Sequence, residues 1–338
     1  MSSGGLADCV TETVNSKLGK IRGASLEIAL VVNDWRARQV GGMETALMLW
    51  ESCCIPSLLH GAGTWMEISS ATEKQLNKLQ CWYIRLILQI GPGSPVAALN
   101  FTFSLLDMKI RIWREKLLMI IHIRDLDKES LANRVYEEQK AKKWPGLAQE
   151  TQVICEQLGV EDCNTTRLSK IEYRKLVTAA CHKKNEEIIR NGASEKKCQR
   201  IKDEPYGKKE YISSKTISDA RKWFKTRYFL QPFAGNYSHN RKYAKSDWLC
   251  RCRKAKEDES HITSGNCQVY GDLSSQFGDL QEDKNLVEFF NAVLDRRDTL
   301  EDKDRKQQSL TTVVAAKSDP RNRLSRSRDL HLIGTLQL

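Results

Sequence analysis

Apolar residues recur at Val10, Val14, Leu18, Ile21, Ile28, Val32 and Trp35. These steps are multiples of helical spacing and predict one long helix, or two in line, over about 8–35. Gly19 and Gly23 fall inside it and mark a possible break, because glycine weakens a helix interior. A second stripe, Met43, Leu47, Trp50, Cys54 and Leu58, is interrupted near its end by Pro56. Adjacent Cys53 and Cys54 fall on this stripe and read as core residues. Ser70 with Glu73 forms the pattern of a capping box, opening a third helix with Leu76, Leu79, Tyr83, Ile87 and Ile90 on one face. Gly91-Pro92-Gly93 is expected to stop it. A fourth helix over about 104–124 has Leu106, Ile110, Trp113, Leu117 and Ile121 in register. Helices over about 131–143 and 147–158 follow, split by Trp144-Pro145-Gly146.

Further helical periods appear at Leu168, Ile171, Leu176 and Ala179-Ala180, again at Ile217, Phe224 and Tyr228, and finally over about 282–301. Alternating strand patterns and internal repeats are lacking. The pattern predicts a mainly α fold: a helical bundle to about residue 160, a helical connector over 161–246, a small module with a C-terminal helix over 247–304, and a tail without fixed structure over 305–338.

Charge changes this picture in one region. The chain of 338 residues carries a formal net charge of +11. Residues 167–260 hold 25 Lys and Arg against 12 Asp and Glu. An excess of that size favours acidic partners, nucleic acid first. On the fourth helix, Arg111 and Arg114 fit either a phosphate-tracking face or an ordinary solvated one. Arg221, Lys222, Trp223, Lys225 and Arg227 mix cations with aromatics, as suits single-stranded nucleic acid. The bland alternative is an amphipathic helix with buried rings. Arg241, Lys242 and Lys245 continue the basic track, and Arg321, Arg323, Arg326 and Arg328 add a weak basic element in the tail.

The track leads into Cys250, Cys252, His261 and Cys267, three thiols and an imidazole within 18 residues. That is a complete tetrahedral ligand set for a structural zinc ion. A single residue between the first two cysteines departs from the usual finger spacing, so reduced, unmetallated cysteines remain the alternative. Alternate residues of an extended segment share a face, which lets Cys250 and Cys252 point the same way. Arg251, Arg253 and Lys254 interleave with the first ligands as candidate nucleic-acid contacts.

The eleven cysteines and the lack of a signal-peptide pattern or an 18-residue apolar run point to an intracellular protein, nuclear or cytoplasmic, with no membrane partner. Nucleotide-loop, nucleophile-elbow and zinc-protease motifs are missing, as is an aspartate pair in a strand-like setting for two-metal chemistry. No catalytic residue is assigned.

Several stretches carry a family likeness. Val14-Asn15-Ser16-Lys17-Leu18-Gly19-Lys20-Ile21-Arg22-Gly23, Gly41-Gly42-Met43, Leu49-Trp50-Glu51 and Ile55-Pro56-Ser57-Leu58-Leu59 through Thr64-Trp65 resemble the reverse transcriptase of non-LTR (LINE-type) retrotransposons, just downstream of its catalytic palm. Leu79-Gln80, Arg85-Leu86-Ile87-Leu88, Leu105-Leu106-Asp107-Met108-Lys109, Tyr136-Glu137-Glu138-Gln139 and Trp144-Pro145-Gly146-Leu147 extend the likeness. The Cys/His segment with its Tyr270-Gly271-Asp272-Leu273 is similar to the C-terminal segment of the same polyproteins.

The resemblance implies a thumb over residues 1–160, gripping a template–primer duplex. It implies a basic connector and a zinc-knuckle-like module contacting RNA or DNA. The palm aspartates and the endonuclease lie outside this stretch, so the implied function is a truncated, nucleic-acid-binding remnant that is not an enzyme on its own. The alternatives are a piece of a longer, active, magnesium-dependent RNA-directed DNA polymerase, and a helical interaction protein that binds no nucleic acid. The template and the oligomeric state do not follow from the sequence.

Overall fold

The computed structural model describes residues 4–33, 42–65, 68–162, 166–193, 198, 201–202, 204–206, 216–228, 230–231, 233, 249–280 and 283–318. Among them the chain is mainly helical, and the one β-type pairing is an isolated antiparallel bridge between Leu249 and Lys256. No helix among the described residues is long and apolar enough to cross a membrane. The chain forms two compact units, residues 1–230 and 231–338.

The first unit opens with α1 (Gly4–Asn33), continuous through Gly19 and Gly23. A Cβ at either glycine would meet nothing within 4 Å, so both lie on the open side. The opposite side, with Val14, Leu18, Ile21 and Val32, is buried, and α1 packs on α4 (Ser70–Leu88). That burial outweighs the local cost of two glycines.

The second apolar stripe forms α2 (Met43–Leu49), a π-helical turn (Trp50–Cys54) and α3 (Ile55–Leu58). Pro56 lacks an N–H and would clash with the carbonyl four residues back. Widening the preceding turn to π geometry lets the helix run through it. Trp50 is buried and stacks on Tyr83 at 4.5 Å, and the Tyr83 hydroxyl donates to the Ala46 carbonyl at 2.6 Å. Cys54 is core, as expected; Cys53 is exposed, because the turn directs the two neighbours to different sides.

The cap of α4 is displaced by one residue from the expected position. Ser69, in extended conformation, accepts from the Thr72 amide at 3.2 Å, and Glu73 instead lies 3.9 Å from Lys109. The helix stops at Gln89, in the left-handed region (φ 49°), before the glycines are reached. A full capping box occurs elsewhere: Ser169 and Glu172 exchange bonds at the start of α9 (Lys170–Gly192).

The helix expected over about 104–124 starts later, as α6 (Met108–Arg124), and a helix the periodicity did not give, α5 (Val96–Thr102), precedes it across a short turn. Asp107 caps α6 by accepting from the Lys109 amide at 2.8 Å. The turn is tied from several directions. Gln80 donates to the Leu106 carbonyl at 3.0 Å, Asn185 both accepts from the Asp107 amide at 2.8 Å and donates to the Leu105 carbonyl at 2.9 Å, and Asn77 accepts from the Met108 amide at 3.0 Å. Then come α7 (Leu131–Lys142) and α8 (Leu147–Leu158).

Helix α9 packs on α6 through Tyr173, Val177 and Cys181, and α10 (Ile217–Arg227) packs on α4. The helices expected as a separate basic connector therefore belong, in packing terms, to the first unit.

The second unit contains α11 (Glu259–Thr263), α12 (Gly271–Ser274) and α13 (Asp283–Ser318). Its core joins Phe233, Ile262, Tyr270, Leu286, Phe289 and Phe290 to the buried Cys250 and Cys267. Helix α13 continues to Ser318, beyond the expected end near 301 and into the stretch expected to lack structure. Glu301 pairs with Arg297 at 3.1 Å and with Arg305 at 3.6 Å, spacings that support a helix from its own surface. Arg321, Arg323, Arg326 and Arg328 lie outside the described residues.

Candidate metal centre and basic surface

Cys250, Cys252, His261 and Cys267 come together in the second unit, with their ligand atoms all within 4.8 Å of one another. The local folding is legible. Cys250 donates its amide to the Ala255 carbonyl at 2.9 Å, and the Arg253 amide donates back to the Cys250 carbonyl at 2.7 Å. The chain reverses at Arg253, whose φ of 60° is left-handed. The Leu249–Lys256 bridge closes this turn and directs Cys250 and Cys252 to one point. His261 arrives on α11, capped by Asp258, whose carboxylate accepts from the His261 amide at 2.9 Å. The chain then turns at Gly265 (φ 73°), and the Gly271 amide binds the Cys267 carbonyl at 2.6 Å, anchoring the last ligand.

Cys250 Sγ lies 3.5 Å from Cys267 Sγ, and Cys252 Sγ lies 3.2 Å from His261 Nε2. In a tetrahedral zinc site with bonds of about 2.3 Å to sulfur and about 2.0 Å to nitrogen, ligand atoms are about 3.4–3.8 Å apart. The donor set suits zinc and these two spacings lie close to that range, so the group could hold a metal ion. Burial pushes the Cys250 thiol up to about 12, with Cys267 adding to the rise. Burial also opposes ionisation of Cys252, but the Lys254 amide and the neighbouring Cys250, His261 and Cys267 outweigh it and bring that thiol down to about 7. Metal capture must therefore displace the proton of Cys250.

The single-residue spacing between Cys250 and Cys252 turns out to be no obstacle, because the reversal at Arg253 supplies the convergence a longer loop would. Sequence reasoning passed over the supports: Asp258, placed three residues before His261 as an N-cap, and the Gly265–Gly271 pair.

The basic residues divide. Arg253 and Lys254 are exposed at the tip of the turn. Arg251 pairs with Asp304 at 2.9 Å. In the first unit, Lys222 is exposed, Arg114 pairs with Glu115 at 2.9 Å, and Arg221 Nε donates to the Leu88 carbonyl at 2.6 Å. Lys225 is half-buried, and burial together with Arg221 lowers its pKa.

Arg111, expected on a phosphate-tracking face, is 2% exposed and clamps Glu51 through two bonds of 2.8 and 2.6 Å. Arg227 is buried, pairs with Glu204 and lies 4.6 Å from the Trp223 ring. Trp223, Phe224 and Tyr228 are core residues; Phe224 packs on Phe103, and Tyr228 shares a 2.7 Å hydrogen bond with Thr102. Arg111, Arg227 and Trp223 thus face the interior rather than a ligand, because partners distant in sequence neutralise or cover them. Arg241, Lys242 and Lys245 lie outside the described residues. Compared with family models, curated proteins and solved structures, the chain matches none.

Proposed function

We propose that the chain is a nucleic-acid-binding part of a non-LTR retrotransposon reverse transcriptase, without polymerase activity of its own. In this reading zinc at Cys250, Cys252, His261 and Cys267 locks the second unit, and Arg253 and Lys254 at the turn contact the phosphates of RNA or DNA. The observation that carries it is the convergence of four ligand atoms beside two exposed cations on one short turn. Zinc at this site has a structural role: it closes the turn onto α11 and Cys267 and so fixes where the cations point. Magnesium belongs to a longer polymerase containing the palm, of which this chain would be the binding piece.

A second reading has a specific observation behind it. The first unit turns three of its seven candidate contact residues, Arg111, Trp223 and Arg227, inward, as a helical interaction protein with incidental positive charge would.

Two measurements separate these readings. Protein purified without chelator should carry about one zinc per chain. It should shift single-stranded RNA at low salt, with an affinity that falls steeply as salt rises. Replacing Arg253 and Lys254 with alanine should weaken binding and reduce the salt slope by about 2, one per lost phosphate contact. Zinc near zero removes the metal proposal, and no shift at low salt favours the interaction-protein reading.

A further inference from the structure

The outer side of α1 carries a pattern that packing within the chain does not use. Gly19, Gly23, Leu26 and Leu30 follow one another at steps of four, three and four residues, so they form one stripe along the helix. The stripe runs opposite the buried Val14, Leu18, Ile21 and Val32. Leu26 is 47% exposed and Leu30 73%. Packing inside the chain accounts for the glycines no better than for the leucines. Glycine weakens a helix interior. Here no left-handed backbone demands it, and a Cβ at either position would meet nothing within 4 Å. Two hollows are thus followed, on one exposed face, by two large apolar side chains.

Such a face fits a second copy of itself running the other way. A two-fold axis level with the bond between Ala24 and Ser25 sets Leu30 of one copy over Gly19 of the other and Leu26 over Gly23, and every contact occurs twice. The missing side chains let the two backbones come close. The charges agree with this direction. Lys20 and Glu27 are both exposed and stand on the same flank of the stripe. An antiparallel pair brings Lys20 of one copy beside Glu27 of the other. A parallel pair would instead set glycine on glycine and leucine on leucine, leaving a gap at one end, and would turn Arg22 rather than Lys20 toward Glu27.

We propose that the outer face of α1 is a docking surface for a second copy of this chain, packed antiparallel, with Leu26 and Leu30 of each copy filling the hollows at Gly23 and Gly19 of the other. A single helix pair buries less than the roughly 1,200–2,000 Å² of a standard stable interface, so the dimer is weak and depends on concentration. It rests on neither the metal nor the nucleic-acid reading.

The test is analytical ultracentrifugation of the full chain, treated with nuclease so that no strand bridges two copies. Across the micromolar range the mass should rise from one chain to two and no further, because a two-fold interface closes on itself. Lys20→Glu and Glu27→Lys should each weaken the dimer about tenfold, since symmetry turns two attractions into two repulsions. The double variant carrying both changes should restore it. Gly23→Gln adds a side chain where the single chain has open space and removes a helix-weakening residue. It should keep the circular dichroism spectrum and the melting temperature, or raise the latter, while abolishing the dimer. A single chain at every concentration would assign the face to a different protein and overturn the proposal. So would a mass beyond two chains, a double charge variant that stays weakened, or full dimerisation by folded Gly23→Gln. Weakening by Arg22→Glu without weakening by Lys20→Glu would mark the parallel pair and overturn it as well.

Discussion

Gly271 lies directly against Gly265: a Cβ at residue 271 would stand 2.4 Å from the Gly265 carbonyl oxygen. That obstacle is backbone, not the end of a flexible side chain, so an added methyl group must displace the turn between His261 and Cys267. The same displacement breaks the 2.6 Å bond from the Gly271 amide to the Cys267 carbonyl. Gly271→Ala should therefore weaken zinc binding by about 10–100-fold, the range seen when residues that orient metal ligands are changed. Competition with a chromophoric chelator measures it, and an affinity equal to that of the unaltered chain would refute this account of the turn.

Arg111 and Glu51 are asymmetric partners. The arginine is almost wholly buried, while the Glu51 side chain is 45% exposed. Removing Glu51 strands a buried cation; removing Arg111 leaves a carboxylate that water can reach. Glu51→Ala should cost about 3–5 kcal/mol, and Arg111→Met, which keeps an apolar side chain of similar length, less than about 2 kcal/mol. Urea denaturation gives both values. Arg111→Met should also leave RNA affinity unchanged at every salt concentration, and a reduced salt slope would return Arg111 to the binding surface.

Glu73 supplies a pH prediction. Burial raises its pKa above the ordinary value near 4.5, with Lys109 opposing and Asp107 adding to the shift. A folded pKa above the unfolded one means that the folded state holds the proton more tightly. The stabilising effect is fully present below the unfolded value and is lost as pH rises through the folded one. Glu73→Gln mimics the protonated group, so it should raise the melting temperature at pH 7, and the gain should vanish below pH 4 or thereabouts. An equal gain at both pH values would point to a cause other than ionisation.

Gly63 marks where the 3-10 turn (Ala62–Thr64) presses on α6. A Cβ there would lie 2.8 Å from Met119 Sδ, 3.0 Å from Met119 Cβ and 3.3 Å from the Glu115 carbonyl oxygen. Gly63→Ala should destabilise the first unit by about 1–3 kcal/mol through overpacking. Met119→Ala in the same chain should recover part of that loss, since it removes Sδ, the nearest contact; a purely additive double variant would show that Met119 Cβ and the Glu115 carbonyl, which alanine leaves in place, set the limit.

The stretches with a long, regular period were the most legible. Helices α4, α7 and α8 begin and end within one or two residues of where Leu76, Tyr136 and Ile154 and their neighbours place them. The start of α6 was not, because Leu105 and Leu106 continue the apolar pattern although they lie in the turn before Asp107. Gln80 and Asn185, far along the chain, hold that turn, and periodicity carries no information about such bonds. The metal group was legible because residue type and order define a ligand set, whereas its geometry depended on the reversal at Arg253.

The sequence by itself determined the helical class, through its 3.6-residue apolar period, and the identity of the four candidate metal ligands, through their chemistry. Only the tertiary structure decided which cations face outward. A lysine or arginine looks the same in a local window whether it is solvated or paired. Arg111 is neutralised by Glu51, 60 residues earlier, and Lys116 by Glu150, 34 residues later. A charge that meets its counter-charge only when distant helices pack is removed from the surface by folding, and no property of its immediate neighbours announces it.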